Sequence, residues 1–164
     1  QIYNLYIFDR HCTCVSFTNF DQKGQSGPAA LGGGVTFGKP AAAAEAAPAR
    51  PSKWEEDAKL VFGVVYSLRN LMSNLVQSGP DSPPAKVIGY KTSHYKLHYY
   101  ETASGLKFVM MTDVNRETMT NELEFIYRQI YVEYVAKNPL IPFNAPSIVT
   151  EEFNDALWRY VKSL

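Results

Sequence analysis

The sequence predicts an α+β fold, a five-stranded antiparallel sheet with helices packed on it, in the order β-β-α-β-β-β-α-α. Three observations carry this. Short segments rich in Val, Ile, Tyr and Phe, several alternating apolar with polar, fall in two groups, one at the start and one in the middle. Two long segments repeat apolar residues at the 3.6-residue helical period. Turn-forming Gly, Pro, Asn, Asp and Ser clusters separate these segments.

Each element follows from local chemistry. "IYNLYIFDR" reads as the first strand and "CTCVSFTNF" as the second, with "DRH" as a tight turn between them. Residues 21–52 are then Gly, Ala, Pro, Ser and Gln with few large apolar side chains, and cannot offset their ordering entropy by burial. They are predicted to be a mobile insertion in a single domain spanning 1–164. From Lys53 the period turns helical, with Val61, Val64, Val65, Leu68, Leu71, Met72 and Leu75 on one stripe. Ser52 is placed to cap this helix, with Glu55 three residues on. After "SGPDSPP" come three strand segments, "KVIGYKT", "HYKLHYYET" and "LKFVMMTD". The last two are joined by "ASG", with Gly105 at the left-handed position. A second helix follows, carrying Met119, Leu123, Ile126, Tyr127, Ile130 and Tyr134 on one face; "KNPLIPFNAP" stops it, and residues 151–164 form a last short helix.

Composition narrows the function. At 164 residues, with 46% hydrophobic and 20% charged, the chain has ordinary globular usage and enough length for a sizeable core. Sixteen basic residues balance sixteen acidic ones, so there is no basic stripe for nucleic acid. Eleven Tyr suit a packed core or a surface that buries against a partner. Cys12 and Cys14, two apart in a strand, would point to one face roughly 6.5 Å apart, a strained disulfide geometry. They read as free thiols of a reducing compartment. No apolar run reaches the roughly 20 residues of a membrane span, and no cleavable signal opens the sequence, so a cytoplasmic location is expected.

The candidate sites for chemistry are weak. Gly33, Gly38 and Lys39 fit G-x-x-x-x-G-K, but Pro40 stands where a Ser or Thr hydroxyl should ligate Mg²⁺, and it lacks the backbone N–H of a phosphate cradle. The motif also lacks the strand before it and the helix N-terminus after it. His94 and His98 have H-x-x-x-H spacing, yet the surrounding period is two. Tyr95, Leu97 and Tyr99 take one face, His94, Lys96, His98 and Tyr100 the other, a polar strand face. On a strand the two histidines lie about 13 Å apart, too far for one ion. Neither cysteine has a partner that would lower its pKa. Glu55, Glu56 and Asp57 sit in the first turn of a helix, where the dipole favours them. No catalytic residue, cofactor or metal site is therefore assigned.

The helices instead carry surplus apolar surface. Phe62, Tyr66 and Arg69 form a second stripe roughly 100° round from the first helix's core stripe, and Phe125 and Val132 lie nearly opposite the second helix's core face. Aromatic residues with Arg are the composition of a protein–protein contact. These five are the candidate partner interface.

The element order, together with "IYNLYIFDR", "TSHYKLHYYETASGLKFVMMTD" and "YVEYVAKNPL", resembles longin-like domains, and among them the small (sedlin-class) core subunits of the TRAPP vesicle-tethering complex, of the Bet-five type. The resemblance rests on Asn4, Leu5, Phe8, Asp9 and Arg10, on Tyr95, Lys96, Leu97, His98, Tyr99, Tyr100 and Glu101, and on Asn138 and Pro139. It leaves out residues 21–52. It implies a non-catalytic scaffold that helps form the guanine-nucleotide exchange surface for a Rab GTPase of the Ypt-one/Rab-one class in ER-to-Golgi and Golgi transport. The implied partners are a second longin-like subunit, a Bet-three-type subunit and the GTPase, with ER and cis-Golgi membranes reached only peripherally through the complex. The other reading of the same fold is a longin-like subunit of a coat adaptor or of a SNARE- or cargo-binding complex.

Overall fold

Five strands form one antiparallel sheet in the order β2-β1-β5-β4-β3. They are β1 (Ile2–Phe8), β2 (Cys14–Asn19), β3 (Gly89–Lys91), β4 (Lys96–Glu101) and β5 (Lys107–Thr112). Helix α1 (Lys53–Leu75) separates β2 from β3. Helix α2 (Thr120–Phe125) runs directly into a wider π-helical stretch (Ile126–Ala136), and α3 (Glu151–Ser163) ends the chain. The computed structural model describes residues 1–20, 53–75, 89–142, 148 and 150–164. The expected insertion 21–52 with its near-phosphate loop, the Ser52 cap, the "SGPDSPP" turn and the start of "KVIGYKT" lie outside these residues.

Local chemistry fixes the turns. Asp9 closes the β1–β2 connection: its Oδ1 accepts the Thr13 N–H at 2.8 Å, and its carbonyl accepts the Cys12 N–H at 3.1 Å. Cys12 takes φ 68° there. The turn is therefore longer than "DRH", and Cys12 belongs to it rather than to a strand shared with Cys14; both thiols are free. In the β4–β5 connection Gly105 has φ 84° and donates to the Thr102 carbonyl at 3.0 Å, the left-handed position expected of it. Between β3 and β4, the Thr92 hydroxyl accepts the N–H of His94 and of Tyr95. His94 is thus an exposed turn residue, not a strand one. Lys107, itself buried, donates to the carbonyls of Gly105 (3.0 Å) and Asp9 (3.4 Å), tying two turns together at one end of the sheet.

Helices cover both faces of the sheet. On one, Ala58, Val61 and Val65 of α1 pack on Tyr6, Phe8, Leu97, Tyr99 and Val109. On the other, α2, the π-helical stretch and α3 pack Leu123, Ile126, Ile130, Phe153, Leu157 and Val161 on Leu5, Ile7, Phe108 and Met110. The alternation read along β4 holds, but its second face is not an open polar one. His98 is 1% exposed and Tyr100 packs beside Phe108 and Tyr127. Thr150 caps α3 by accepting the Phe153 N–H at 3.2 Å.

Two helical stripes differ from expectation, each for a geometric reason. In α1, Val64 and Leu71 face solvent while Ala58 and Phe62 join Val61 and Val65 against the sheet. The seven-residue stripe spans a wider arc than a flat sheet can cover, and the helix turns to seat Phe62 on Phe8, with ring centroids 5.5 Å apart. In the second helix the hydrogen bonds widen to i→i+5, as where the Lys137 N–H reaches the Val132 carbonyl at 3.0 Å. At about 4.4 residues per turn the core positions after Ile130 shift by one. Val135 is buried and Tyr134 is exposed.

Candidate partner interface

Among the described residues, half of the exposed large apolar side chains lie on the outer face of α1. Leu60 is 70% and Leu71 53% exposed, with Val64 exposed between them. At 100° per residue these three fall within about 40° of one another, roughly 110° round from the Ala58, Val61 and Val65 stripe. Gly63 and Ser67 lie beside this ridge, both exposed, and a Cβ on Gly63 would meet nothing within 4 Å. Exposed Tyr66 borders the same face on its other side. Two apolar borders with small residues between them let another helix approach closely.

The five residues singled out from the sequence divide unequally. Tyr66 is exposed, with its ring stacked 6.0 Å from Phe62. Phe62 is half-buried in the α1–sheet core and supports Tyr66 from below. Arg69 lies 3.4 Å from Glu101 Oε1, and Glu101 Oε2 accepts the Tyr99 hydroxyl at 2.9 Å, a chain that ties α1 to β4. Burial, followed by the Glu101 bond, holds the Tyr99 phenol far above its ordinary pKa. Phe125 and Val132 sit beyond the opposite face of the sheet. Phe125 stacks on Tyr160 of α3 at 4.4 Å, and Val132 lines a cleft. The five do not form one surface. Leu60 is the signal that the core stripe hides: Leu60, Val64 and Leu71 repeat at helical spacing, but the 3.6-residue period counts Val64 and Leu71 with the core.

The family-motif residues mark two places. Tyr95–Glu101 are β4 and its lead-in. There Lys96 Nζ donates to the Arg116 carbonyl at 3.0 Å, and His98 bridges the sheet to α2. Its Nδ1 accepts the Met119 N–H at 3.2 Å, so Nε2 carries the proton and donates to Thr112 Oγ1 at 2.8 Å. Burial, and then the Lys96 charge, lower its pKa to about 4. With both nitrogens engaged, His98 has no electron pair for a metal, and among the described residues no group of three ligating side chains gathers. Cys14 accompanies it as a structural group: burial pushes its thiol up to about 12, the reverse of an activated nucleophile. The other motif residues, Asp9 and Arg10 from one end of the chain and Asn138 and Pro139 from the other, meet at the cleft that Val132 lines. Asn4 pairs across β1 with Asn19 and Met111; Leu5 and Phe8 fill the two cores.

Among the described residues no helix is long and apolar enough to cross a membrane. Comparison with known proteins agrees with this architecture. The model of the Sybindin-like family matches residues 2–164. The Trafficking protein particle complex subunit 1 of Dictyostelium discoideum is 34% identical, covering 100% of this chain and 96% of that protein. The protein of the same name from Rattus norvegicus is 33% identical over 99% of this chain and 93% of its own length. The Trafficking protein particle complex subunit BET5 of Saccharomyces cerevisiae is 34% identical over 87% and 77%. A model that spans nearly every residue, with relatives matched along three quarters or more of their own length, places the chain in the Sybindin-like family.

Proposed function

We propose that this chain is a non-catalytic scaffold subunit of a trafficking protein particle complex. In that complex it helps form the guanine-nucleotide exchange surface for a Rab GTPase of the Ypt-one/Rab-one class, in ER-to-Golgi and Golgi vesicle transport. It pairs with a second longin-like subunit, contacts a Bet-three-type subunit, and reaches ER and cis-Golgi membranes from the cytoplasmic side through the complex.

The observation that carries the reading is the outer face of α1: Leu60, Val64 and Leu71 in one exposed row, with Tyr66 across from them. Such a row is what a subunit leaves bare for a neighbour. The full-length likeness to proteins named as complex subunits supplies the kind of neighbour. Two of the side chains with catalytic potential are committed to structure: His98 to two hydrogen bonds and Cys14 to a half-buried strand position. Exchange then arises from the assembled surface that receives the GTPase, with no acid–base group supplied here.

Native mass spectrometry of complexes purified through this chain tests the reading. The expected co-purifying proteins are the other subunits of the tethering complex in fixed stoichiometry. Recovery of coat-adaptor subunits in their place would overturn it.

A further inference from the structure

Three glycines fall among the described residues, and the fold itself accounts for two of them. Gly105 has φ 84°, a left-handed turn position that strains any side chain. A Cβ on Gly89 would stand 2.7 Å from the Leu97 carbonyl oxygen, too close for any other residue. Neither reason holds at Gly63. It lies near the middle of α1 without a positive φ, and a Cβ there would meet nothing within 4 Å. Glycine inside a helix weakens it relative to alanine, because more backbone freedom is lost on folding. Among the described residues nothing offsets that loss.

The surroundings show what the missing side chain leaves open. Gly63 and Ser67, about one turn apart and both exposed, floor a shallow groove along the outside of α1. Leu60, Val64 and Leu71 border it on one side and Tyr66 on the other. The apolar border runs roughly 16 Å, three turns of helix. Charge keeps clear of its centre: Arg69 meets Glu101 of the sheet, and Glu56 and Lys59 stand toward the N-terminal end.

We propose that Gly63 is the crossing point for a helix of another subunit of the assembly. Without a Cβ at the crossing, two helices can approach to about 8 Å between axes, the near end of the packing range. The incoming helix lays an apolar stripe along Leu60, Val64 and Leu71, and one of its large side chains rests over Gly63. A helix fits because the border is straight and repeats at i, i+4 and i+11, a ridge that interdigitates with a partner's ridge. A bilayer does not fit: an interfacial helix buries bulky apolar side chains along its strip, and this strip is floored by Gly63 and Ser67. The proposal rests on the complex-subunit reading above and deepens it, naming the element that docks and the residue that sets its distance.

Gly63→Ala and Gly63→Leu in the full chain test it. Alanine and leucine are better helix formers than glycine, so the isolated chain should melt about 2 °C higher with either. Affinity for the complex lacking this subunit should fall about fivefold with alanine and at least fiftyfold with leucine. Photoreactive benzoylphenylalanine at position 60, in the co-expressed complex, should crosslink to the apolar face of a helix in another subunit. A lower melting temperature for Gly63→Ala would place the reason for the glycine inside the fold and overturn the proposal. Native affinity for Gly63→Leu would overturn it too, as would crosslinks confined to lipid, to this chain or to a non-helical segment. If the Val64→Asp, Leu71→Asp double variant also assembles like the native chain, α1 is not the contact and the reading beneath falls as well.

Discussion

Two hydrogen bonds and an apolar wall hold His98 in one protonation state. Its Nδ1 needs a lone pair for the Met119 N–H, so a second proton would break the link between the sheet and the start of α2. The folded pKa of about 4 lies below the ordinary value near 6.5. The unfolded chain therefore takes up this proton first as pH falls. The contribution of His98 is complete above pH ~6.5 and is lost progressively down to pH ~4, up to roughly 3 kcal/mol in all. Urea melts between pH 7 and pH 4 should show this acid-side loss in the native protein, and His98→Gln, which cannot titrate, should flatten it; an unchanged acid slope would contradict the assignment. On the neighbouring face, Leu97→Ala should cost about 2–5 kcal/mol as a core truncation, and Lys96→Ala under about 1 kcal/mol. Equal losses in denaturant melts would mean the register of β4 is off by one. The alternation of these residues was legible in the sequence because a strand's period is two. That His98 would be as buried as Leu97 was not, because alternation assigns a side chain to a face without saying what covers that face.

Helices expose the limits of reading by period. The apolar stripe of α1 was legible as a helix but not its rotation, since seven apolar residues over a wide arc leave the seated edge to be decided by the partner surface. Phe8 and Phe62 decide it. The second helix departs further, because a 3.6 period puts Tyr134 in the core and i→i+5 winding puts Val135 there. Nothing in the residue pattern marks the change of winding. Val135→Ala is expected to cost roughly 1–3 kcal/mol, and Tyr134→Ala less than about 1 kcal/mol. A thermal-melt comparison checks it, and the opposite ranking would mean the helix keeps ordinary α winding. The turns were better signalled: Gly105 stands where a left-handed residue is required, and substitution there is strained in any surroundings.

At the scale of the whole molecule, one sheet carries a helical layer on each side, and the described residues leave the outer row of α1 exposed on one of them. The surplus of apolar and aromatic residues on which the proposed partner contact rests was legible in the sequence. Their exact places were not, because Phe62 could be assigned to core or surface only after the rotation of α1 was known. The central claim is that the chain works by docking through the outer face of α1. The most direct measurement is the affinity of the Val64→Asp, Leu71→Asp double variant for the complex lacking this subunit, beside the melting temperature of the isolated chain. Both side chains are exposed, so melting should stay nearly unchanged. Affinity should fall at least tenfold, a loss of 1.4 kcal/mol or more, and exchange activity on the GTPase should fall with it. A double variant that assembles and supports exchange like the native chain would contradict the claim.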